Sequence, residues 1–91
     1  MDIKVSMQFV SDFKKIQDPS FQEKIKNVIK ELTSVDHISD ISQFRRIGGT
    51  EDSYRMGIGF YYLISRKTAD NELTFFRLLH RNEVLDVLHI K

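Results

Sequence analysis

Ile3, Val5 and Met7 alternate with Lys4, Ser6 and Gln8, the period of two that a strand with one buried face imposes. Ser11 then stands where it caps a short helix carrying Phe13 and Ile16 on one side. Asp18-Pro19 reads as a second helix start, because proline is tolerated in a first turn and a carboxylate favours the positive end of the helix dipole. The apolar residues behind it, Phe21, Ile25, Val28, Ile29 and Leu32, fall on one helical stripe, with Lys24, Lys26, Lys30 and Glu31 filling the other side. That stripe predicts core.

Residues 34–42 show no sustained period and read as a connection. Phe44 to Ile47 fits a short strand, and Gly48-Gly49 followed by Thr50, Glu51 and Asp52 reads as a turn. Three strands are expected next, at Ser53–Ile58, Phe60–Arg66 and Leu73–Leu79, each rich in aromatic or β-branched residues. Gly59 breaks the first pair and Thr68–Asn71 supplies the second turn. From Asn82 to Ile90 the positions of Val84, Leu85, Val87 and Leu88 suit a terminal helix. The order strand, two helices, strand meander, closing helix predicts an α+β fold, with the helix pair on one face of an antiparallel sheet and the other face free.

The 91 residues leave room for a single domain, 1–91, with one core. A charged fraction of 30% is ordinary for a folded globular chain and excludes a disordered one. No apolar run approaches the roughly 20 residues of a membrane span, and charges interrupt the first apolar stretch as no signal peptide allows. A soluble, cytoplasmic protein with no membrane partner is expected. Cysteine is absent, which excludes disulfides and cysteine-based zinc sites.

A net charge of +1 hides an uneven distribution. Between Phe44 and Arg81 stand Arg45, Arg46, Arg55, Arg66, Lys67, Arg77 and Arg81, against Glu51, Asp52, Asp70 and Glu72. Such a stretch is either a solvated charged surface or a phosphate-binding one. The excess of arginine over lysine tilts toward phosphate, which the planar guanidinium grips in a bidentate way.

The string FRRIGGTEDSYRMGIGFYYLI, residues 44–64, resembles the segment of RelE/ParE toxins that reads as a basic K-L-x-G turn followed by YRIRIGDYRIIY. The string LTFFRLLHRNEVL, residues 73–85, is similar to their LTVLRVGHRKDVY ending. With the matching element order before them, the resemblance spans nearly the whole chain. The run His80-Arg81-Asn82-Glu83-Val84 is closer to the RelE branch than to the gyrase-poisoning ParE branch.

This resemblance implies the toxin of a type II toxin–antitoxin system. Its activity would be a metal-independent endoribonuclease that needs no cofactor and cuts messenger RNA on the ribosome, inhibiting translation. A cognate antitoxin protein would hold it silent. Carried over by position, Arg81 would meet the scissile phosphate and Arg55 would position or stabilise it, while His80 could serve as acid or base. Arg45, Arg46 and Arg77 would hold RNA backbone, and Tyr62, with Tyr61, would either stack on a base or serve as a sheet residue, one of the two buried and the other exposed.

The chain also departs from the family pattern. Tyr62 stands in place of the strand arginine, Phe60 in place of an aspartate, Gly57 in place of a second basic residue and Leu85 in place of the C-terminal tyrosine. Two further readings therefore stand beside the ribonuclease: a catalytically impaired relative that mainly binds antitoxin, and a ParE-like inhibitor of DNA gyrase.

Overall fold

The computed structural model describes residues 1–37, 40–41 and 43–88, with side chains as far as residue 84 of the last helix. Eight elements follow in order: β1 (Asp2–Val5), α1 (Met7–Lys15), α2 (Pro19–Thr33), β2 (Phe44–Arg46), β3 (Ser53–Ile58), β4 (Tyr61–Ala69), β5 (Glu72–His80) and α3 (Arg81–Leu88). The α+β reading holds. The strands form one sheet in the order β1-β5-β4-β3-β2. From β2 to β5 every pairing is antiparallel, but β1 runs parallel to β5, from Asp2 opposite Glu72 to Val5 opposite Phe75. The sheet is thus mixed rather than purely antiparallel. A first strand that pairs with the last must be brought back by a long connection, and the two helices lie within it.

Both helices pack on one face. Phe9 and Ile16 from the first helical segment and Ile25 and Leu32 from α2 meet Met56, Ile58, Leu63, Leu73, Phe75 and Leu78 of the sheet in one buried cluster. The apolar stripe of α2 is core, as its period predicts. Asp18 caps that helix as expected, accepting the Ser20 and Phe21 amides at 3.0 and 3.3 Å. The Gln22 side chain ties the hairpin by donating to the Ile16 carbonyl at 2.6 Å.

The alternation at the start of the chain misleads after Val5. Ser6, not Ser11, is the cap of α1, accepting the Phe9 amide at 3.0 Å, so the helix begins at Met7. Val5 is consequently 46% exposed and Met7 90% exposed, and Ile16 lies just beyond the helix end although it is buried. The same Ser6 hydroxyl donates to the Phe76 carbonyl at 2.8 Å and fastens the start of α1 to β5. The second strand of the meander begins at Tyr61 and runs on to Ala69, which takes Thr68 out of the expected turn. Irregularities in the β4–β5 register let Ala69 pair Glu72, and the Thr68 hydroxyl meets Glu72 and Thr74.

The second face is not wholly free. Val84 of α3 packs on Ile47, Ile64 and Leu79 in a small separate cluster. The side chains of Leu85, Val87 and Leu88, and the expected helix end at Ile90, lie outside the described residues. Among the described residues no helix is long and apolar enough to cross a membrane.

At the outer end of the sheet Lys4 bonds Glu72 at 2.8 Å. Hydrogen bonds from Lys4 and then Thr68 hold the Glu72 carboxyl below its ordinary value of 4.5. A carboxyl whose pKa is lowered by folding adds stability that is complete above its unfolded value and fades as the pH falls through the folded one. Both partners lie at the surface, so the effect is small. Glu72→Gln should lower Tm slightly at neutrality, and the deficit should fade as the pH falls below about 4; thermal melts between about pH 2 and 7 check it.

Candidate functional site

Strand alternation sorts the basic residues onto two faces. Arg45 and Arg55 stand directly opposite each other in the β2–β3 pair, and Arg55 pairs in turn with Ile64 of β4. Ile64 belongs to the cluster under α3, so both arginines point to the face away from α1 and α2. Two like charges directly opposite on adjacent strands repel each other. Their presence there costs stability unless an anion is shared between them.

Tyr62 holds the centre of this face. Its ring lies 5.2 Å from the Arg55 guanidinium carbon and 5.9 Å from that of Arg81. Strand β4 runs between β3 and β5, so the two cations reach one phenol ring from either side, Arg55 from β3 and Arg81 from the start of α3 just beyond β5. The ring quadrupole attracts each of them and restrains both side chains. Tyr62 pairs with Gly57, and a Cβ on Gly57 would stand 3.4 Å from the Tyr62 ring. Two departures from the family pattern are therefore one event in space. The tyrosine ring lies against the position from which a larger side chain at residue 57 would start. Gln43, Arg45, Arg55, Gly57 and Tyr62 line an open cleft of about 240 Å³.

Arg81 opens α3. Its amide donates to the Phe60 carbonyl at 2.8 Å, and the next amide, of Asn82, donates to His80 Nδ1 at 3.2 Å. These bonds occupy N–H groups that a helix start leaves without internal partners. They also fix where the Arg81 side chain begins.

The other candidates are placed elsewhere. His80 pairs with Tyr61, whose ring packs on Phe21 of α2 at 5.0 Å, so the register directs His80 to the helix side, away from Tyr62. Tyr61 lies 5.2 Å from the His80 ring, edge to face. Arg46 pairs with Tyr54 and alternates to the same helix side. Tyr61 and Tyr62 are both half-buried, on opposite faces, rather than one buried and one exposed.

Arg77 shares the face of Ile64 but is occupied. Its Nε and Nη2 donate to Asp12 of α1 at 2.8 and 3.2 Å, and this pairing raises its pKa further above the ordinary arginine range. Arg66 lies over the Phe76 ring at 5.0 Å, four residues along β4 from Tyr62 and so roughly 13 Å away. Sequence reasoning missed Asp12 and Gln43 entirely. Neither belongs to a motif, and only the long-range packing of α1 and the short length of β2 bring them where they are. Among the described residues no group of three or more His, Asp or Glu side chains gathers as metal ligands do.

What gathers, then, is three guanidinium groups and a phenol on an open sheet face. The arrangement can hold an anion between Arg55 and Arg81 with an aromatic surface beside it. It offers fixed positive charge rather than an acid–base pair.

No family model matches the chain, and no curated protein matches it. Solved structures do. A chain of the RelB–RelE antitoxin–toxin complex from Methanococcus jannaschii superposes with a TM-score of 0.77 at 25% identity, over 91% of this chain and 95% of that one. A chain of the toxin–antitoxin complex RelBE2 from Mycobacterium tuberculosis gives a TM-score of 0.69 at 13% identity, over 88% and 96% of the two chains. The second likeness is one of fold alone. Both neighbours share the α+β architecture described above, and this chain has the RelE-like fold.

Proposed function

We propose that this protein is the toxin of a toxin–antitoxin pair and that it cuts messenger RNA on the ribosome without a metal ion. The carrying observation is the convergence of Arg55 and Arg81 on Tyr62, at 5.2 and 5.9 Å. In the reaction the 2′ oxygen of a ribose attacks the adjacent phosphorus and the 5′ oxygen of the next nucleotide leaves. A cyclic phosphate and a 5′-hydroxyl result, with the 2′ proton passing to solvent and the 5′ oxygen taking a proton from solvent. Negative charge grows on the phosphate oxygens as the new bond forms. Arg81 and Arg55 meet that charge, and Arg45 holds backbone beside the scissile link. Tyr62 restrains the two guanidinium groups and presents its hydroxyl to the ribose. Arg77, tied to Asp12, serves the fold. The likeness to toxin–antitoxin complexes supports an antitoxin as the partner, acting with the toxin in the cytoplasm.

With His80 turned to the helix side, positioning and charge stabilisation carry the rate. The rate of cleavage on translating ribosomes should then rise steadily between about pH 6 and 8 without levelling, because the 2′-oxyanion fraction grows while the arginines keep their charge. A clear inflection near the ordinary imidazole value would return His80 to the reaction. The primary test is induced expression followed by primer-extension mapping of messenger RNA. Growth arrest with new 5′ ends inside translated codons is the expected result. Supercoiling defects without cuts would replace this reading by gyrase inhibition, and normal growth would leave antitoxin binding as the protein's role.

A further inference from the structure

The outer side of α2 carries charges that its own chain leaves unanswered. Lys24 and Glu31 are both exposed and stand seven residues apart on one stripe of the helix. Half-buried Val28 lies between them. At 1.5 Å of rise per residue the two backbones are roughly 10 Å apart along the axis, too far for the side chains to pair well with each other. Among the described residues neither has an ion-pair partner, the pairs being Lys4 with Glu72 and Arg77 with Asp12. Ser20 and Asn27, the other exposed residues of the stripe, are uncharged. Lys24, Val28 and Glu31 also line a groove of about 230 Å³, whose other wall is residues 56–59, the end of β3 and its turn. That wall is open because β2 is short. Its first residue, Phe44, stands opposite Met56, and from Gly57 onward the β3 edge has no neighbouring strand among the described residues.

An uncovered strand edge beside an apolar groove invites another chain, and the charges decide which one fits. A polyanion is repelled by Glu31. A partner that answers both charges must present an acid and a base at the same separation in the reverse order. Helix α2 of a second copy, running antiparallel, does so. A two-fold axis between Asn27 and Val28 sets Lys24 of each copy opposite Glu31 of the other, and the same patch serves both sides. We propose that this face is a self-complementary dimer interface, in which two copies of the chain pair their α2 helices over the two grooves. Gln43 and Gly57 line both the groove and the arginine cleft, so a second copy seated here borders that cleft. The patch is small, and the dimer is accordingly weak, with Kd on the order of 10–100 μM. The pairing stands whether or not the protein cuts RNA.

Sedimentation equilibrium of the full-length protein, over about a hundredfold range of concentration around that Kd, is the test. The wild type should pass from monomer to dimer. Lys24→Glu and Glu31→Lys should each raise Kd at least about tenfold, because each turns two attractions across the interface into two repulsions. Mixed in equal amounts, these two variants should pair again, since every contact then joins an acid and a base. The double variant Lys24→Glu/Glu31→Lys should dimerise by itself. Both positions are exposed, so thermal melts should find every variant as stable as wild type. A wild type that stays monomeric throughout would overturn the proposal, and so would single variants that dimerise as the wild type does. Failure of the mixed pair and of the double variant to associate would overturn it as well. A monomeric wild type combined with loss of antitoxin neutralisation in Lys24→Glu would assign the groove to the antitoxin in place of a second copy.

Discussion

Cells induced to express Arg81→Ala should grow normally, and cleavage by the purified variant should fall at least a hundredfold. One charge-stabilising contact in a transition state supplies roughly 3 kcal/mol, and tenfold in rate corresponds to about 1.4 kcal/mol. The fold should not suffer. Arg81 is exposed, its side chain contributes to neither core cluster, and it stands in the first turn of α3, where the helix dipole disfavours a cation. Thermal stability of Arg81→Ala should therefore equal or slightly exceed that of wild type, and antitoxin binding should persist. Arg81→Lys should fall between, since a lysine keeps the charge but loses the planar fork that grips two phosphate oxygens. Persistent growth arrest in Arg81→Ala would take this residue out of the reaction. A loss of both stability and toxicity would show that it supports the fold instead.

Asp12→Ala should destabilise the fold by about 3 kcal/mol, lowering Tm by roughly 10–20 °C in a domain of this size. The reason lies at the edge of β5. Strand β1 pairs with that edge only as far as Val5 opposite Phe75, and the chain then turns into α1. Ser6 and Asp12 take over what a longer strand would have done. Asp12 Oδ2 accepts the Leu78 amide at 2.9 Å and the Arg77 Nε at 2.8 Å, with a side chain only 10% exposed. Alanine leaves a backbone donor without its partner and a half-covered guanidinium without its counter-ion. Asp12→Asn keeps an acceptor for the amide and should cost about half as much. Combining Asp12→Ala with Arg77→Met should recover part of the loss, because the unpaired cation goes with it. Chemical denaturation of the wild type and these three variants decides the matter. A change below 1 kcal/mol in Asp12→Ala would mean that this carboxylate is not what holds α1 to the sheet.

Much of the architecture is written in local pattern. The stripe of α2, its Asp18-Pro19 start and the β3–β4 hairpin at Gly59 all act over a few residues, and the structure agrees with each. What local pattern cannot carry is register across distance. Residues 3–8 alternate as a strand does, yet the Ser6 side chain ends the strand by capping a helix and bonding Phe76, seventy residues away. His80 sits next to Arg81 in the chain but on the other side of the sheet from the cluster that Arg81 joins, because His80 ends β5 opposite Tyr61 whereas Arg81 already belongs to α3. The complementarity of Gly57 and Tyr62 is likewise invisible until they pair across β3 and β4. Taken singly, each is a missing basic residue. Taken together, they exchange two basic positions for an aromatic ring between the remaining ones.

The parallel pairing of β1 with β5 governs the order in which the protein can become whole. The strand synthesised first has no neighbour until the strand synthesised nearly last has left the ribosome. Until then β5 cannot close the sheet, Arg81 has no fixed origin and Tyr62 has only one of its two cations. A nascent chain that has emerged only as far as β4 therefore has no assembled arginine cluster. Contacts of such long sequence separation also slow folding, which lengthens the interval before the cluster is complete.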